Sequence, residues 1–291
     1  MKKHIVTLSL SAMVAVNSFG QKISGKPKFQ QGQSIEVNME VKTTISQEAM
    51  GQAIDFNVDG TATHIYKVTN TTDDNSTLHH KMQRITFVFD GMGQKRNFDS
   101  NNPKDMDGQF GKPIKDVLDK SYDMVINPNG KVMMAIPEKI ETTTSDPRLL
   151  IVTNMLKDVL GTVQPPRKGE ASFFKVLPEN EIGIGESWTY MISDSAGKSI
   201  TTYKLTAITD STVVVDFTGS SNTVSKAEMM GMETTTTLNN KTTGKIILDK
   251  ATGIVRQKNA VTESTGTTES SFGSLPVTSK IITTINVKPG Q

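Results

Sequence analysis

The chain of 291 residues contains no cysteine. That excludes disulfide frameworks, a lipid-modified cysteine and every metal or nucleophile site built on a thiolate. Aromatic residues make up only 5%, with one Trp and four Tyr. The ring platforms typical of sugar-binding proteins and glycosidases therefore have little to be built from. No basic stripe or run occurs, and the formal net charge is only +2. Neither nucleic acid nor an anionic membrane surface has an electrostatic basis in such a chain. No segment beyond the N-terminus approaches the roughly 20 apolar residues that a bilayer crossing requires.

The N-terminus has the form of an address. Lys2, Lys3 and His4 precede the apolar run Ile5 to Val16, and Ser18 and Gly20 are small residues set two apart before Gln21. A basic start, an apolar core and a small-residue cleavage site make a secretory signal. The expectation is a signal peptide over residues 1–20 and an exported product, periplasmic or extracellular, that begins at Gln21. The leader carries two of the 32 Lys+Arg and none of the 30 Asp+Glu, so the remainder balances at 30 against 30. An exported chain of that size buries an adequate core without disulfides.

Thr, Val, Ile and Ser are abundant, which favours strands. Three local matches recur in the same order. Gly32-Gln33-Ser34-Ile35 resembles Gly185-Glu186-Ser187-Trp188, setting Ile35, Val37 and Met39 opposite Trp188, Tyr190 and Ile192. Tyr66-Lys67-Val68-Thr69 resembles Tyr203-Lys204-Leu205-Thr206, each followed by a short Thr/Asp/Ser turn. Val125–Val132 resembles Ile247–Val255, each a strand, an Asx-containing turn closed by Gly130 or Gly253, and a strand. Alternation of apolar with polar residues around these matches is the period-2 sign of a strand with one face buried.

The expected architecture is mainly β (α+β): two duplicated, curved antiparallel sheets or half-barrels, residues 21–145 and 170–291, packed as one unit. A connector at 146–169 links them. Within it, Asp146 is a good N-cap and Pro147 suits the first helical position. Leu149, Val152, Leu156, Val159 and Leu160 recur at helical spacing, and Gly161 followed by Pro165-Pro166 ends the pattern, so a helix is expected over 147–160. A shorter helix is expected over 113–118. The extra length of the first half falls near Gln47–Asp59 and Asp99–Gly111.

The stretch Phe173-Phe174-Lys175-Val176-Leu177-Pro178, followed by Ile182-Gly183-Ile184-Gly185-Glu186-Ser187-Trp188, resembles a segment of an uncharacterised family of secreted Bacteroidota β-rich proteins, a domain of unknown function. In that family a Phe and a Leu-Pro pair precede an apolar-Gly-x-x-Trp strand start. The Asn129-Gly130-Lys131-Val132 and Thr252-Gly253 turns are similar to its other recurring features. The resemblance implies the same kind of fold and an exported location, and it carries over no catalytic residue. The strand sets with one linking helix also look loosely like the half-barrel of periplasmic lipoprotein carriers.

Chemistry is sparse. Gly185-Glu186-Ser187-Trp188-Thr189 fails the last position of a nucleophile elbow. His79 and His80 are adjacent in an expected strand and face opposite sides, and no H-E-x-x-H occurs. His64, His79 and His80 therefore read as solvated or pocket-rim residues rather than zinc ligands. Asp105-Met106-Asp107-Gly108 is a fragment of a calcium loop that would place Pro103 and Ile114 at the first and twelfth positions, where oxygen ligands are needed. Met229-Met230-Gly231-Met232 reads as core or loop filler. Asp194-Ser195-Ala196 and Asp210-Ser211-Thr212 have the form of O-glycan attachment sites in expected turns. No catalytic residue, metal ligand or cofactor site is assigned.

The functional expectation is a non-enzymatic envelope protein that binds a partner protein or an apolar small molecule. The expected pocket is lined by Trp188 and Tyr190 on one side and by Leu149, Val152 and Leu156 of the linking helix on the other. Two alternatives stand beside it: a hydrolase with dispersed carboxylates, and a structural or adhesive surface protein.

Overall fold

A computed structural model describes residues 22–49, 52–91, 93–140, 164–194, 197–229, 232–270 and 273–290. The expected leader, most of the connector with its helix at 147–160, and Leu149, Val152 and Leu156 lie outside the described residues.

The strands run in chain order as β1 (Lys22–Ile23), β2 (Ser34–Ala49), β3 (Gln52–Thr71), β4 (Ser76–Gly91) and β5 (Gln94–Asp99). Helices α1 (Pro103–Met106) and α2 (Gly111–Leu118) follow, then β6 (Ser121–Ile126) and β7 (Val132–Ile136). The second run is β8 (Ile182–Gly183), β9 (Ser187–Asp194), β10 (Gly197–Ile208), β11 (Thr212–Met229), β12 (Met232–Asp249), β13 (Val255–Ser270) and β14 (Gly273–Pro289). The molecule is mainly β, as expected, and the short helix expected at 113–118 falls within α2.

All the long strands belong to a single antiparallel sheet of 12 strands, ordered β7-β6-β4-β3-β2-β14-β13-β12-β11-β10-β9 with β5 beside β4. The pairing of β14 with β2 joins the two strand sets, for example Ile285 with Met39 and Val287 with Val37. Among the described residues, β7 and β9 do not meet, so the sheet is open. A two-stranded sheet of β1 and β8 stands apart.

Alternation assigns the faces, because successive side chains of a strand point to opposite sides. On β2, Ile35, Val37, Met39 and Val41 are buried. Cross-strand register carries the same side through Tyr66, His64 and Ala62 of β3, then His80, Met82 and Ile85 of β4. In the other direction it passes through Ile285 of β14, Lys258 of β13, Ile246 of β12, Val215 of β11 and Leu205 of β10. This inner face holds the core, and the outer face is dominated by Thr, Asn, Lys and Glu.

Two apolar clusters lie on the inner face. The first centres on β2–β4, β6 and β7 and takes in Ile114 and Val117 of α2; the second centres on Leu205, Val213, Val215, Ile246 and Leu248. The segment Phe173–Leu177 lies between them, with Phe174 buried in the first cluster, Val176 and Leu177 in the second, and Phe173 against both. Helix α1 starts because Asn102 accepts from the Lys104 N–H at 3.1 Å, with Pro103 at a position that needs no donor. The Gly130 and Gly253 turns adopt φ of 78° and 68°, the left-handed region expected for a residue without Cβ.

Candidate functional site

The region around Trp188 is built on β9, β10, β11 and β13. Register sets Trp188 opposite Tyr203, and Tyr203 opposite Phe217, on the inner face. The Trp188 and Tyr203 rings stack with centroids 5.5 Å apart and planes 11° apart, and Tyr203 lies 5.8 Å from Phe217. Tyr190 meets Tyr203 edge-on at 5.7 Å. The Trp188 indole N–H donates to the Val176 carbonyl at 3.2 Å, which ties the row to the Phe173–Leu177 segment. Burial raises the phenol pKa of Tyr203 and of Tyr190.

Gly244 of β12 makes this packing feasible. A Cβ there would lie 2.4 Å from Phe217 Cζ and 2.3 Å from the Asn259 carbonyl, so the ring spreads over a backbone without a side chain. The Lys258 ammonium reaches the same ring, 5.4 Å from its centroid. Burial lowers the Lys258 pKa, because an apolar surrounding disfavours the charged form.

Sequence reasoning placed Trp188 and Tyr190 on the inner face, and register puts them there, yet both are only half-buried. Ile192, the third residue of the same alternation, shares that face but is 58% exposed, because β9 has a neighbour on one side only among the described residues. Lys258, Gly244 and Phe217 carried no signal of their own. The alternation Ile246, Leu248 and the positions facing them could have located Phe217 and Gly244, but only the cross-strand register brings Lys258 beside them.

A second polar group in the core was also missed. His79 is exposed and pairs with Asp123 at 2.8 Å, as a surface histidine would. His64 and His80, in contrast, are each 1% exposed, which corrects the expectation that they are solvated or at a rim. His64 Nδ1 and His80 Nε2 lie 3.1 Å apart, and one donates to the other. His80 also packs on Tyr66 and Tyr122, with ring centroids 4.6 and 4.5 Å away. Burial pushes the pKa of His64 down to about 4 and that of His80 to about 3. Burial raises Tyr66 to about 12 and raises Tyr122 as well. The group is therefore neutral at pH 7, and its chemistry is that of a hydrogen-bonded core. The signal was present in the alternation Ala62, His64, Tyr66, Val68, which puts a histidine in an apolar phase.

Two surface pockets accompany these features. One, of about 430 Å³, opens where β2, β13 and β14 end, with Ile35, Ile254, Val255 and Val287 as its apolar walls and Asp249 and Arg256 among its polar ones. The other, of about 350 Å³, is lined by Glu40, Lys42, Thr61, Thr86 and Asp99 on the outer face. Among the described residues, no three His, Cys, Asp or Glu side chains gather where a metal ion could be held. Asp105 instead accepts from the Asp99 backbone N–H at 2.8 Å, a structural use of the carboxylate. Ser211 lies in the exposed β10–β11 turn.

Fold and site thus define a protein built on one open antiparallel sheet, with an aromatic row and a half-buried lysine on its apolar face. The chain belongs to the family of unknown function DUF6263, whose model matches residues 73–255. No curated protein matches it. Among solved structures it is similar to lipovitellin, described for its lipid–protein interactions, at 10% identity and a TM-score of 0.45 over 91% of this chain. The match spans only 26% of the lipovitellin chain. DynF of the dynemicin biosynthesis pathway of Micromonospora chersina is similar at 6% identity and a TM-score of 0.24, covering 97% of this chain and 92% of that one. An outer-membrane channel of Pseudomonas putida F1 is similar at 9% and 0.23, covering 90% and 98%. None of these likenesses assigns a function. No described helix is long and apolar enough to cross a membrane.

Proposed function

We propose that this protein is an exported, non-enzymatic binding protein of the cell envelope that holds an apolar ligand or partner against the inner face of its sheet. The observation that carries this reading is the unequal covering of that face. The first cluster is roofed by α2 with Phe173 and Phe174 and the second by Val176 and Leu177, whereas apolar residues near the β9 edge stay accessible, with Ile192 58% exposed and Tyr190 half-buried. The pocket beside Ile35 and Val287 adds a recess with apolar walls at the end of the sheet. Its volume falls within the range of ordinary ligand pockets.

Internal duplication supports a common scaffold for the two halves. The Val68 C=O accepts from Gly32 N–H while Val68 N–H donates to Gln33 C=O; Leu205 makes the same pair of bonds with Gly185 and Glu186. Those residues are the ones matched in the sequence. Ile35 pairs with Tyr66 just as Trp188 pairs with Tyr203. Export rests on the Lys2–Gly20 leader pattern.

The test is to express the full chain in a bacterial host, recover the processed protein from the periplasm and weigh it intact. A mass beginning at Gln21 is expected. Organic extraction followed by mass spectrometry, with displacement of an apolar fluorescent probe by hexadecanol, then reads the binding. A bound lipid-like molecule or competitive displacement is expected. Retention of Met1 would refute export, and the absence of both extractable ligand and probe binding would refute the binding role.

A further inference from the structure

Across β10–β14, the inner face is uncharged with a single exception. Register assigns to it residues 199–205 of odd number on β10, 213–227 of odd number on β11, 234–248 of even number on β12 and 273–289 of odd number on β14. All of these are apolar, Ser, Thr, Asn, Gly or Pro. On β13, the same face carries Lys258, directly between Ile246 of β12 and Ile285 of β14. The neighbouring lysines Lys204, Lys241, Lys245 and Lys280 fall on the outer face by the same alternation.

An ammonium placed among Ile246, Ile285 and Phe217 loses hydration, and only part of that loss is returned by the ring face. Ion pairs elsewhere on the sheet, such as Lys245 with Asp216 and Lys288 with Glu36, give those lysines an acid. Among the described residues, no carboxylate lies within salt-bridge distance of Lys258. A cation kept on an apolar face without an acid is a costly arrangement, and an anion brought in by a ligand would compensate it.

We infer that Lys258 receives the anionic head of an amphiphile whose alkyl chain lies along the inner face. Val255 and Val287, the next inner-face residues along β13 and β14, line the 430 Å³ pocket together with Arg256 and Lys288, so a chain running along the strands from Lys258 reaches a recess with apolar walls. The Phe217–Tyr203 row offers an apolar surface on the other side of the ammonium. The head is a carboxylate or a phosphate ester, since both offer oxygen acceptors to an ammonium. This inference rests on the binding role proposed above and names the chemistry of its ligand.

The full chain, processed at its leader, is titrated with palmitate, phosphatidic acid and hexadecanol, with the fluorescence of Trp188 as readout. Palmitate or phosphatidic acid binds tightly, and whichever of the two binds more tightly tells a free fatty acid from a phospholipid head. Lys258→Met weakens binding of the anionic ligand about 10–100-fold and changes binding of hexadecanol by less than about twofold. Lys258→Arg retains the anion preference. Folding of the Met variant is checked by its melting temperature, expected to be equal or higher because an ammonium leaves an apolar surrounding. If palmitate, phosphatidic acid and hexadecanol bind alike, or Lys258→Met leaves anion binding unchanged, the inference fails while the binding role stands. If none of the three binds, both fail.

Discussion

Acid should destabilise this protein through two core histidines well before its carboxylates titrate. His64 and His80 are held neutral by burial, at about 4 and about 3, against 6.5 when exposed. Each folded-state pKa is depressed, so the unfolded chain takes up protons that the folded chain refuses. Stability is therefore complete above pH 6.5 and is lost as pH falls from there towards the folded values. At pH 5 each unfolded histidine is almost wholly protonated while each folded one is mostly neutral. The loss is about 2 kcal/mol per histidine, or about 4 kcal/mol for the pair relative to pH 8. That is a large share of the usual 5–15 kcal/mol of a folded domain. Among the described residues, β2 presents Ile35, Val37 and Met39 to the pair, β3 and β6 present Tyr66 and Tyr122, and the covering segment presents Phe173 and Phe174. His79 on the outer face adds repulsion to His80. Urea denaturation followed by Trp188 emission at pH 8, 6 and 5 should show the decline, and the double variant His64→Gln/His80→Gln should flatten it. Equal slopes in the two proteins, or a wild-type stability that does not change between pH 8 and 5, would refute the reasoning.

Trp188 is half-buried, so its emission should be blue-shifted from aqueous indole but remain partly quenchable by iodide. Trp188→Ala should cost about 2–3 kcal/mol, below the 3–5 of a fully enclosed ring, and unaltered denaturation would count against its packing on Tyr203. Gly244→Ala should destabilise by about 1–3 kcal/mol, since the new methyl meets the Phe217 ring and a backbone carbonyl; a neutral effect would show that the ring does not lie there. Because Asp105 serves the Asp99 backbone and no acid cluster was found among the described residues, dialysis against EDTA should leave the melting temperature unchanged. A drop restored by a divalent ion would overturn that.

Much of the strand framework was legible because each strand reports its own burial. Alternation in Ser34–Val41 marks Ile35, Val37 and Met39 as one buried row, and the Gly130 and Gly253 turns follow from the need for positive φ. The short helix expected over 113–118 falls within α2 (Gly111–Leu118). The matched segments turn out to occupy equivalent places, Ile35 against Tyr66 in one strand set and Trp188 against Tyr203 in the other, a pairing that only the cross-strand register supplies. Pairing between distant strands was not legible. That β14 lies against β2, so that both strand sets share one sheet, depends on hydrogen bonds between residues more than 200 positions apart, which no local pattern encodes. The chemistry of the inner face follows from that same long-range register. Lys258 looks like any strand lysine in the sequence, and His80 like any strand histidine. Only the partners set across from them, Ile246 and Ile285 in one case and Tyr66 and Tyr122 in the other, turn the first into a half-buried cation on an apolar face and the second into a neutral core residue.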